Sequence, residues 1–143
     1  MLTARRGAGE VAVVVLVVED NAIFRKLVRE SLEGEFPFLE VCEASGGEEA
    51  IHQCGTCMPD LIFMDIDLGD ESGFSVIREI RARYPDVPIA ILTSFELPEY
   101  KDLARSYNID HFVVKGAAAA EDIFAVVEEV LNDSGAGPER RPV

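Results

Sequence analysis

Chemically reactive side chains follow four short apolar runs of this chain, at the point where each run ends. In chain order these are Glu19 and Asp20 after Val13–Val18, Asp65 after Leu61–Met64, Thr93 and Ser94 after Ile89–Leu92, and Lys115 after Phe112–Val114. If the runs are strands of one parallel sheet, their ends lie at the same carboxyl edge, where open α/β folds build their sites. The sequence therefore predicts carboxylates, hydroxyls and an ammonium group at one place.

Asp65 is the strongest candidate for a reacting group. A carboxylate at a strand end can attack phosphorus and become an acyl phosphate. Since the carboxylate and the incoming phosphoryl group are both anionic, a hard cation such as Mg²⁺ must bridge their oxygens, and Glu19 and Asp20 can bind it. Without a cation, clustered carboxylates repel one another and at least one pKa rises. Lys115 can pair with Asp65 and later with a phosphoryl oxygen, and Thr93 can donate a hydrogen bond to another.

Each of these residues alone has an ordinary structural explanation. An acidic pair after a strand often caps a helix, Thr93 can cap the next helix, and a single lysine such as Lys115 is usually solvated. Their joint occurrence at four strand ends favours a functional site.

Strand and helix patterns alternate five times along the chain. Besides the four runs, Leu39–Ala44 has a strand pattern. Helical spacing is found from Ala22 to Gly34, from Ser45 through about Cys54, at Phe74, Ile77 and Ile80, at Leu97, Tyr100, Leu103, Ala104 and Tyr107, and at Ile123, Val126, Val127, Val130 and Leu131. Ser45 stands three residues before Glu48, which is capping-box spacing. The pattern predicts an α/β fold with a doubly wound, five-stranded parallel sheet and helices on both faces.

The composition indicates one acidic, globular domain. A chain of 143 residues has room for one domain with a substantial core. Its 27 acidic and 13 basic residues give a net charge of −14, which argues against direct binding to nucleic acid or to an anionic membrane. Residues 1–10 and 133–143 are predicted to be flexible tails around a folded domain of residues 11–132.

Two features bear on the compartment. Arg5 and Arg6 precede Val11–Val18 as in a secretion signal, but this run lacks a cleavage site and is too short to cross a bilayer. We interpret it as a buried strand and expect a cytoplasmic protein. Three cysteines form no disulfide framework. Cys54 and Cys57 have the spacing of a redox or metal-binding pair, but their place at a predicted helix end favours reduced, structural cysteines.

Four motifs resemble those of response-regulator receiver domains in two-component signalling. They are Glu19-Asp20-Asn21 after the first strand, the segment from Asp60 to Asp65, Leu92-Thr93-Ser94, and Phe112-Val113-Val114-Lys115. The order and the spacing of the motifs agree with that family throughout, over about residues 11–132. The resemblance implies a flavodoxin-like sheet with strand order 2-1-3-4-5.

The resemblance also implies a reaction. Asp65 would accept a phosphoryl group from the phosphohistidine of a sensor histidine kinase or of a phosphotransfer protein. Asp20 and Asp65 would bind Mg²⁺ directly, together with the backbone carbonyl of Asp67, while Glu19 would act largely through water. Lys115 would contact the phosphoryl group.

A switch pair, Thr93 and Phe112, is implied in the same way. When Thr93 moves toward the phosphoryl oxygen, it leaves room for the ring of Phe112 to turn inward. That rotation would reshape the face formed by helix four, strand five and helix five, the usual partner surface of the family. The chain would then be a signalling domain rather than an enzyme, with at most intrinsic autophosphorylation and dephosphorylation. An output protein, an output domain and a phosphorylation-dependent homodimer all stay open as partners.

The sequence departs from the family pattern at two glycines. Gly116 follows Lys115, where the family commonly has proline, often after a cis bond. Because a cis bond before a residue other than proline costs about 2.5–4 kcal/mol, we expect a trans bond or a looser loop there. Gly69 replaces another frequent proline and should give the Asp67–Gly73 loop more freedom. Phe95 and Asp67 occupy positions thought to tune hydrolysis of the acyl phosphate.

Two alternatives stay open. Asp65-Ile66-Asp67 resembles the DxD motif of haloacid dehalogenase-like phosphatases, which also form an aspartyl phosphate. In those enzymes the motif usually sits on the first strand and is followed by Thr or Val where this chain has Gly69. A pseudo-receiver, an interaction module of the same fold that is not phosphorylated, is the second alternative, although such modules usually lose one of the site residues.

Overall fold

The computed structural model of the protein describes residues 13–134. In chain order its elements are β1 (Val13–Val18), α1 (Ala22–Glu35), β2 (Leu39–Ala44), α2 (Gly47–Cys57), β3 (Leu61–Asp65), β4 (Asp67–Leu68), β5 (Glu71–Ser72), α3 (Gly73–Arg83), β6 (Ile89–Thr93), α4 (Pro98–Ser106), β7 (His111–Val114) and α5 (Ala119–Ser134). Helix α5 therefore runs two residues past the predicted domain end at residue 132. The rest of both predicted tails lies outside the described residues.

Five strands form one parallel sheet in the order β2-β1-β3-β6-β7. Strands β4 and β5 form a separate antiparallel hairpin, so the sheet strands alone follow the expected 2-1-3-4-5 order. After β1 the chain adds β2 on one side, and it then returns to add β3 on the other. In such sheets the crevice at this reversal, above the carboxyl ends of β1 and β3, is where ligands bind.

The sheet separates two apolar layers. Side chains alternate between its faces along each strand. Val15 and Val17 of β1 lie in a cluster with residues of α1 and α5, whereas Leu16 and Val18 lie in a cluster with residues of α2, α3 and α4. Because both faces are covered, every residue of β1, β3 and β6 is buried. This explains why these strands read as unbroken apolar runs.

Helix ends differ from the prediction in two places. Helix α1 continues through Gly34 to Glu35, because a glycine in a helix weakens it without breaking it. The predicted capping box of Ser45 and Glu48 is wrong. The backbone N–H and hydroxyl of Ser45 both donate to Oε1 of Glu49, at 2.8 and 2.9 Å, and Gly46 is the N-cap residue of α2.

The hairpin β4–β5 is absent from the predicted elements. Gly69 and Asp70 form its turn, and Gly69 has a φ of +78°, a conformation that favours glycine in two-residue turns. The carboxylate of Glu71, on β5, accepts a hydrogen bond of 2.8 Å from the backbone N–H of Gly47, at the start of α2. The segment that follows β3 is thus a short ordered ribbon tied to a neighbouring helix.

Helix α4 buries less than its pattern predicts. Of its residues only Ala104 is buried, while Leu103 is 41% exposed and Leu97, at its N-cap, is 38% exposed. Both leucines are therefore partly accessible to solvent. Among the described residues, no helix has the length and apolar character needed to cross a membrane.

Candidate functional site at the carboxyl edge of the sheet

The sheet register brings the reactive side chains to one edge. Val18 on β1 pairs with Met64 on β3, and Asp65 pairs with Leu92 on β6. Thr93, the last residue of β6, pairs with Val114 on β7. Glu19, Asp65, Thr93 and Lys115 are therefore each the last residue of a strand or come directly after it, at the same edge of the sheet.

Three carboxylates share this edge. Oxygen atoms of Glu19, Asp20 and Asp65 all lie within 4.8 Å of one another. Glu19 and Asp65 are buried, whereas Asp20 is exposed to solvent. The cluster is therefore open on the side of Asp20 and closed beneath by the sheet.

The ammonium group of Lys115 joins the two buried carboxylates. Its Nζ lies 2.7 Å from Oε1 of Glu19 and 3.2 Å from Oδ2 of Asp65. Burial lowers the pKa of Lys115, but the hydrogen bonds and charges of Glu19 and Asp65 outweigh burial, and the net pKa is raised. The amine is therefore held in its charged form.

Glu19 is fixed by several contacts. Its Oε2 accepts a 3.1 Å hydrogen bond from the backbone N–H of Asn21, and its backbone carbonyl accepts a 2.7 Å bond from Arg25. Burial is the main cause that raises its pKa to about 7, assisted by the charge of Asp65 and opposed by Lys115. Burying this carboxylate without enough positive charge is thus unfavourable, and the site favours an additional cation.

The carboxylate of Asp65 is held by the segment that follows β3. Its Oδ1 accepts a 3.0 Å hydrogen bond from the backbone N–H of Asp67. Behind it, Gly73 packs so closely that a Cβ there would lie 2.3 Å from the backbone oxygen of Asp65 and 2.5 Å from Cα of Ile66. The backbone of α3 therefore supports the strand end directly, which only glycine allows.

Thr93 and Phe112, the predicted switch pair, have the following contacts. The buried hydroxyl of Thr93 donates to the backbone oxygen of Phe95 at 2.8 Å and accepts from the N–H of Phe95 at 3.1 Å. The hydroxyl is thus engaged with the loop before α4. The ring of Phe112 is half-buried, with Nζ of Lys101 6.0 Å from its centroid and paired with Glu96.

Three residues of the site were missed from the sequence. Asn21 caps α1 by accepting from the N–H of Phe24 at 2.9 Å, Arg25 holds the backbone of Glu19, and the ring of Phe24 lies beside Lys115. Asn21 is the N-cap of α1, and Phe24 and Arg25 follow in its first turn. Their position directly after the acidic pair was a usable signal, because the first turn of a helix that follows a strand end must lie beside that end.

The cysteine pair does not join the site. Cys54 and Cys57 are buried in the last turn of α2 and neither is in a disulfide. Burial raises the pKa of the Cys54 thiol to about 11, with a contribution from Cys57. A protonated, buried thiol is a poor nucleophile and a poor metal ligand.

The donor set fits a hard divalent cation. Carboxylate oxygens are the ligands that Mg²⁺ takes, and it usually uses one or two of them together with water and phosphate oxygens. Here the buried Glu19 has a raised pKa and the neighbouring Asp20 faces solvent. A cation at this place would relieve the repulsion among the three carboxylates.

Comparison with known proteins agrees with this geometry. A family profile described as the response regulator receiver domain matches residues 15–128. The chain belongs to the response-regulator receiver family. Receivers exchange signals with histidine kinases and output domains, and phosphorylation with Mg²⁺ is typical of them.

The chain is similar to parts of several longer proteins. The protein-glutamate methylesterase/protein-glutamine glutaminase of Pyrococcus abyssi is 33% identical over 108 residues, which is 73% of this chain and 29% of that protein. The response regulator protein VraR of Staphylococcus epidermidis is 29% identical over 130 residues, 90% of this chain and 61% of that protein. The chain spans 22% to 29% of the length of the first three methylesterases it matches.

Solved structures have the same fold. The chemotaxis protein CheY4 of Vibrio cholerae is 26% identical with a TM-score of 0.77, and the match covers 85% of this chain and all of that one. NtrX from Brucella abortus is 27% identical with a TM-score of 0.76, over 87% of this chain and 28% of that one. A receiver of this length therefore occurs both as an entire crystallised chain and as part of a longer one.

Proposed function

We propose that Asp65 of this receiver accepts a phosphoryl group from the phosphohistidine of a sensor kinase or a phosphotransfer protein. A carboxylate oxygen of Asp65 forms the new O–P bond, and the imidazole nitrogen leaves with the electron pair of the broken N–P bond. The product is a mixed anhydride that stores the signal until water hydrolyses it.

One observation carries this proposal. The ammonium of Lys115 lies between Asp65 and Glu19, at 3.2 and 2.7 Å, at an edge where a third carboxylate faces solvent. Such a group balances the charge of Asp65 before transfer and is within reach of a phosphoryl oxygen after it. A phosphate that approaches from the side of Asp20 would meet the ammonium group of Lys115 and the carboxylate of Asp65.

Mg²⁺ is proposed as the cation of this site. Asp20, Asp65 and the backbone carbonyl of Asp67 would hold it, with Glu19 acting largely through water. When bound, it supplies charge neutralisation for the carboxylates and the phosphoryl oxygens. The protein's own part is to keep Glu19 and Asp65 buried and oriented, through the N–H groups of Asn21 and Asp67.

The output is proposed to pass through Thr93 and Phe112. The Thr93 hydroxyl would leave the backbone of Phe95 for a phosphoryl oxygen, and Phe112 would turn into the vacated space. Because the ring is half-buried already, a rotation would change the surface of α4, β7 and α5. Lys101 and Arg105 of α4 line this surface together with Phe112 and would contact a downstream partner.

The alternative functions are less well supported. In a haloacid dehalogenase-like phosphatase the motif usually sits on the first strand, whereas Asp65 ends β3. Here Asp67 is exposed on a hairpin and contributes its backbone N–H to Asp65. A pseudo-receiver would not need Lys115 between two buried carboxylates. Any enzymatic activity of a longer protein that contains this receiver would reside outside it.

Intact-mass measurement with acetyl phosphate and Mg²⁺ tests the proposal. We expect a transient gain of one phosphoryl group that requires Mg²⁺ and is abolished by Asp65→Asn. Asp70→Asn is the matched control, because it removes the same charge from an exposed position of the same loop. Phosphorylation of Asp65→Asn at the rate of the wild type would contradict the proposal, and rapid turnover of a small phosphoester would favour the phosphatase.

A further inference from the structure

An aromatic ring flanks the ammonium group at the centre of the site. The Nζ of Lys115 lies 5.1 Å from the centroid of the Phe24 ring, in addition to its contacts with Glu19 and Asp65. The face of an aromatic ring carries partial negative charge and attracts a cation at this distance. We propose that Phe24 is a positioning residue that holds the Lys115 ammonium between the two carboxylates; this inference rests on the proposed phosphoryl transfer.

The backbone around Lys115 gives the side chain little support of its own. Lys115 comes directly after the end of β7, and its N–H donates to the backbone oxygen of Thr93 at 2.8 Å. Beyond it, Gly116 has open space around the place of a Cβ, and Gly116, Ala117 and Ala118 are exposed. A lysine side chain has four rotatable bonds, so contacts at its ammonium group are needed to select one arrangement.

Phe24 is well placed to supply that contact because it is itself fixed. Its backbone N–H donates to the Asn21 side chain at 2.9 Å, which sets the start of α1. Its ring is half-buried and packs against the apolar cluster between the sheet, α1 and α5. The ring therefore presents a rigid surface on which the ammonium can rest.

The contact between Phe24 and Lys115 is compatible with the movement of negative charge during phosphorylation. An ion pair with Asp65 alone would be disturbed when phosphorylation moves the negative charge outward onto the phosphoryl oxygens. A ring face attracts the ammonium without fixing one hydrogen-bond direction, so Lys115 can follow the charge and remain at the site. Phe24 touches no reacting atom and acts through Lys115.

A double-mutant cycle tests this role. Phe24→Leu keeps apolar bulk and removes the ring, and Phe24→Tyr keeps the ring. With acetyl phosphate and Mg²⁺ we expect Phe24→Leu to slow the phosphoryl gain by about two- to thirtyfold, the range of a cation–π contact, and Phe24→Tyr to stay near the wild type. In the Lys115→Ala background, Phe24→Leu should have no further effect. Phe38→Leu, the same change at an exposed phenylalanine of the loop between α1 and β2, is the control.

A second readout is independent of the reaction. In metal-free protein, the ring of Phe24 should shift the NMR signals of the terminal methylene protons of Lys115 upfield. Phe24→Leu should remove this shift and Phe24→Tyr should retain it; Phe24→Met replaces Phe24→Leu if the latter fails to fold.

Two results would overturn the inference while leaving the proposed function intact. One is a wild-type phosphorylation rate in Phe24→Leu, and the other is an equal slowing in the Lys115→Ala background, which would mean a purely structural role. A wild-type protein that gains no phosphoryl group, with the NMR shift present, would instead overturn the proposed function and with it this role of Phe24.

Discussion

Lys115 lies 3.2 Å from Asp65, although the two residues are 50 positions apart in the chain and β6 lies between their strands. The contact spans the sheet edge and is completed by Glu19, at 2.7 Å from the same nitrogen. Two carboxylates share one ammonium here, so removing Lys115 would leave two buried negative charges side by side, whereas removing Glu19 would leave a matched ion pair.

The first prediction concerns pH. The pKa of Glu19 is raised from its ordinary value of 4.5 to about 7, chiefly by burial. The folded protein therefore holds a proton that the unfolded chain has lost, in the interval between these two values. Glu19 destabilises the fold progressively as pH rises through that interval, and the penalty is complete above pH 7. We expect the free energy of unfolding in EDTA, from urea titrations, to fall between pH 4.5 and 7.5.

Two comparisons isolate this effect. Glu19→Gln should remove the fall, whereas Glu48→Gln, at an exposed position of α2, should leave it unchanged. Mg²⁺ should stabilise the wild type more at pH 8 than at pH 5, because protonation competes with the cation. The same pH dependence in wild type and Glu19→Gln would show that another group is responsible.

A second prediction compares two glycines. Gly73→Ala should destabilise the protein by about 1–3 kcal/mol or more, because the added methyl group would lie 2.3 Å from the backbone oxygen of Asp65. Gly34→Ala is the matched control, since it lies exposed in α1 with nothing within 4 Å of the new methyl group. That change should stabilise the protein by about 0.5–1 kcal/mol. Urea denaturation measures both, and equal effects at the two positions would contradict the packing at Gly73.

A third prediction concerns the switch. The ammonium of Lys101, paired with Glu96, lies 6.0 Å from the centre of the Phe112 ring and favours its present orientation. Lys101→Met should therefore raise the population of the inward ring about two- to fivefold before phosphorylation. A fluorine label on Phe112, followed by NMR with and without beryllofluoride and Mg²⁺, reports the two orientations.

The switch experiment has two controls. Arg105→Met removes a cation of the same helix that pairs with Asp102, and it should change the signal less. Thr93→Ala should prevent the shift on adding beryllofluoride. An equal response of the label in Thr93→Ala and in the wild type would show that the orientation of the Phe112 ring does not depend on Thr93.

A fourth prediction concerns the cysteines. Since burial raises the pKa of Cys54 to about 11, its thiol should resist a thiol reagent at pH 8 in the folded protein and react fully in urea. The double substitution Cys54→Ala with Cys57→Ser should leave phosphorylation of Asp65 unchanged. Rapid labelling of Cys54 in the native state, located by peptide mass mapping, would contradict a purely structural role.

The sequence alone was sufficient to predict the strands of the sheet and the closeness of three site residues. Unbroken apolar runs predict strands that are covered on both faces, and every sheet strand begins and ends within one residue of its prediction. The closeness of Glu19, Asp65 and Lys115 follows from that, because parallel strands end at one edge. The Lys115–Gly116 bond is trans, as expected when no proline follows the lysine.

The sequence could not reveal contacts between residues that are distant along the chain. Ser45 and Glu48 have capping spacing, yet the start of α2 is bound by Glu71, 24 residues beyond Gly47. The ring of Phe24 was overlooked because its contact with Lys115 joins two residues that are far apart in the chain.

The most direct test of the account locates the phosphoryl group itself. Protein treated with acetyl phosphate and Mg²⁺ is reduced with borohydride, which converts an aspartyl phosphate to homoserine, and its peptides are sequenced by mass spectrometry. We expect homoserine at position 65 alone, and only in the phosphorylated sample. Homoserine at position 20 or 67, or a phosphoryl gain that leaves residue 65 an aspartate after reduction, would contradict it.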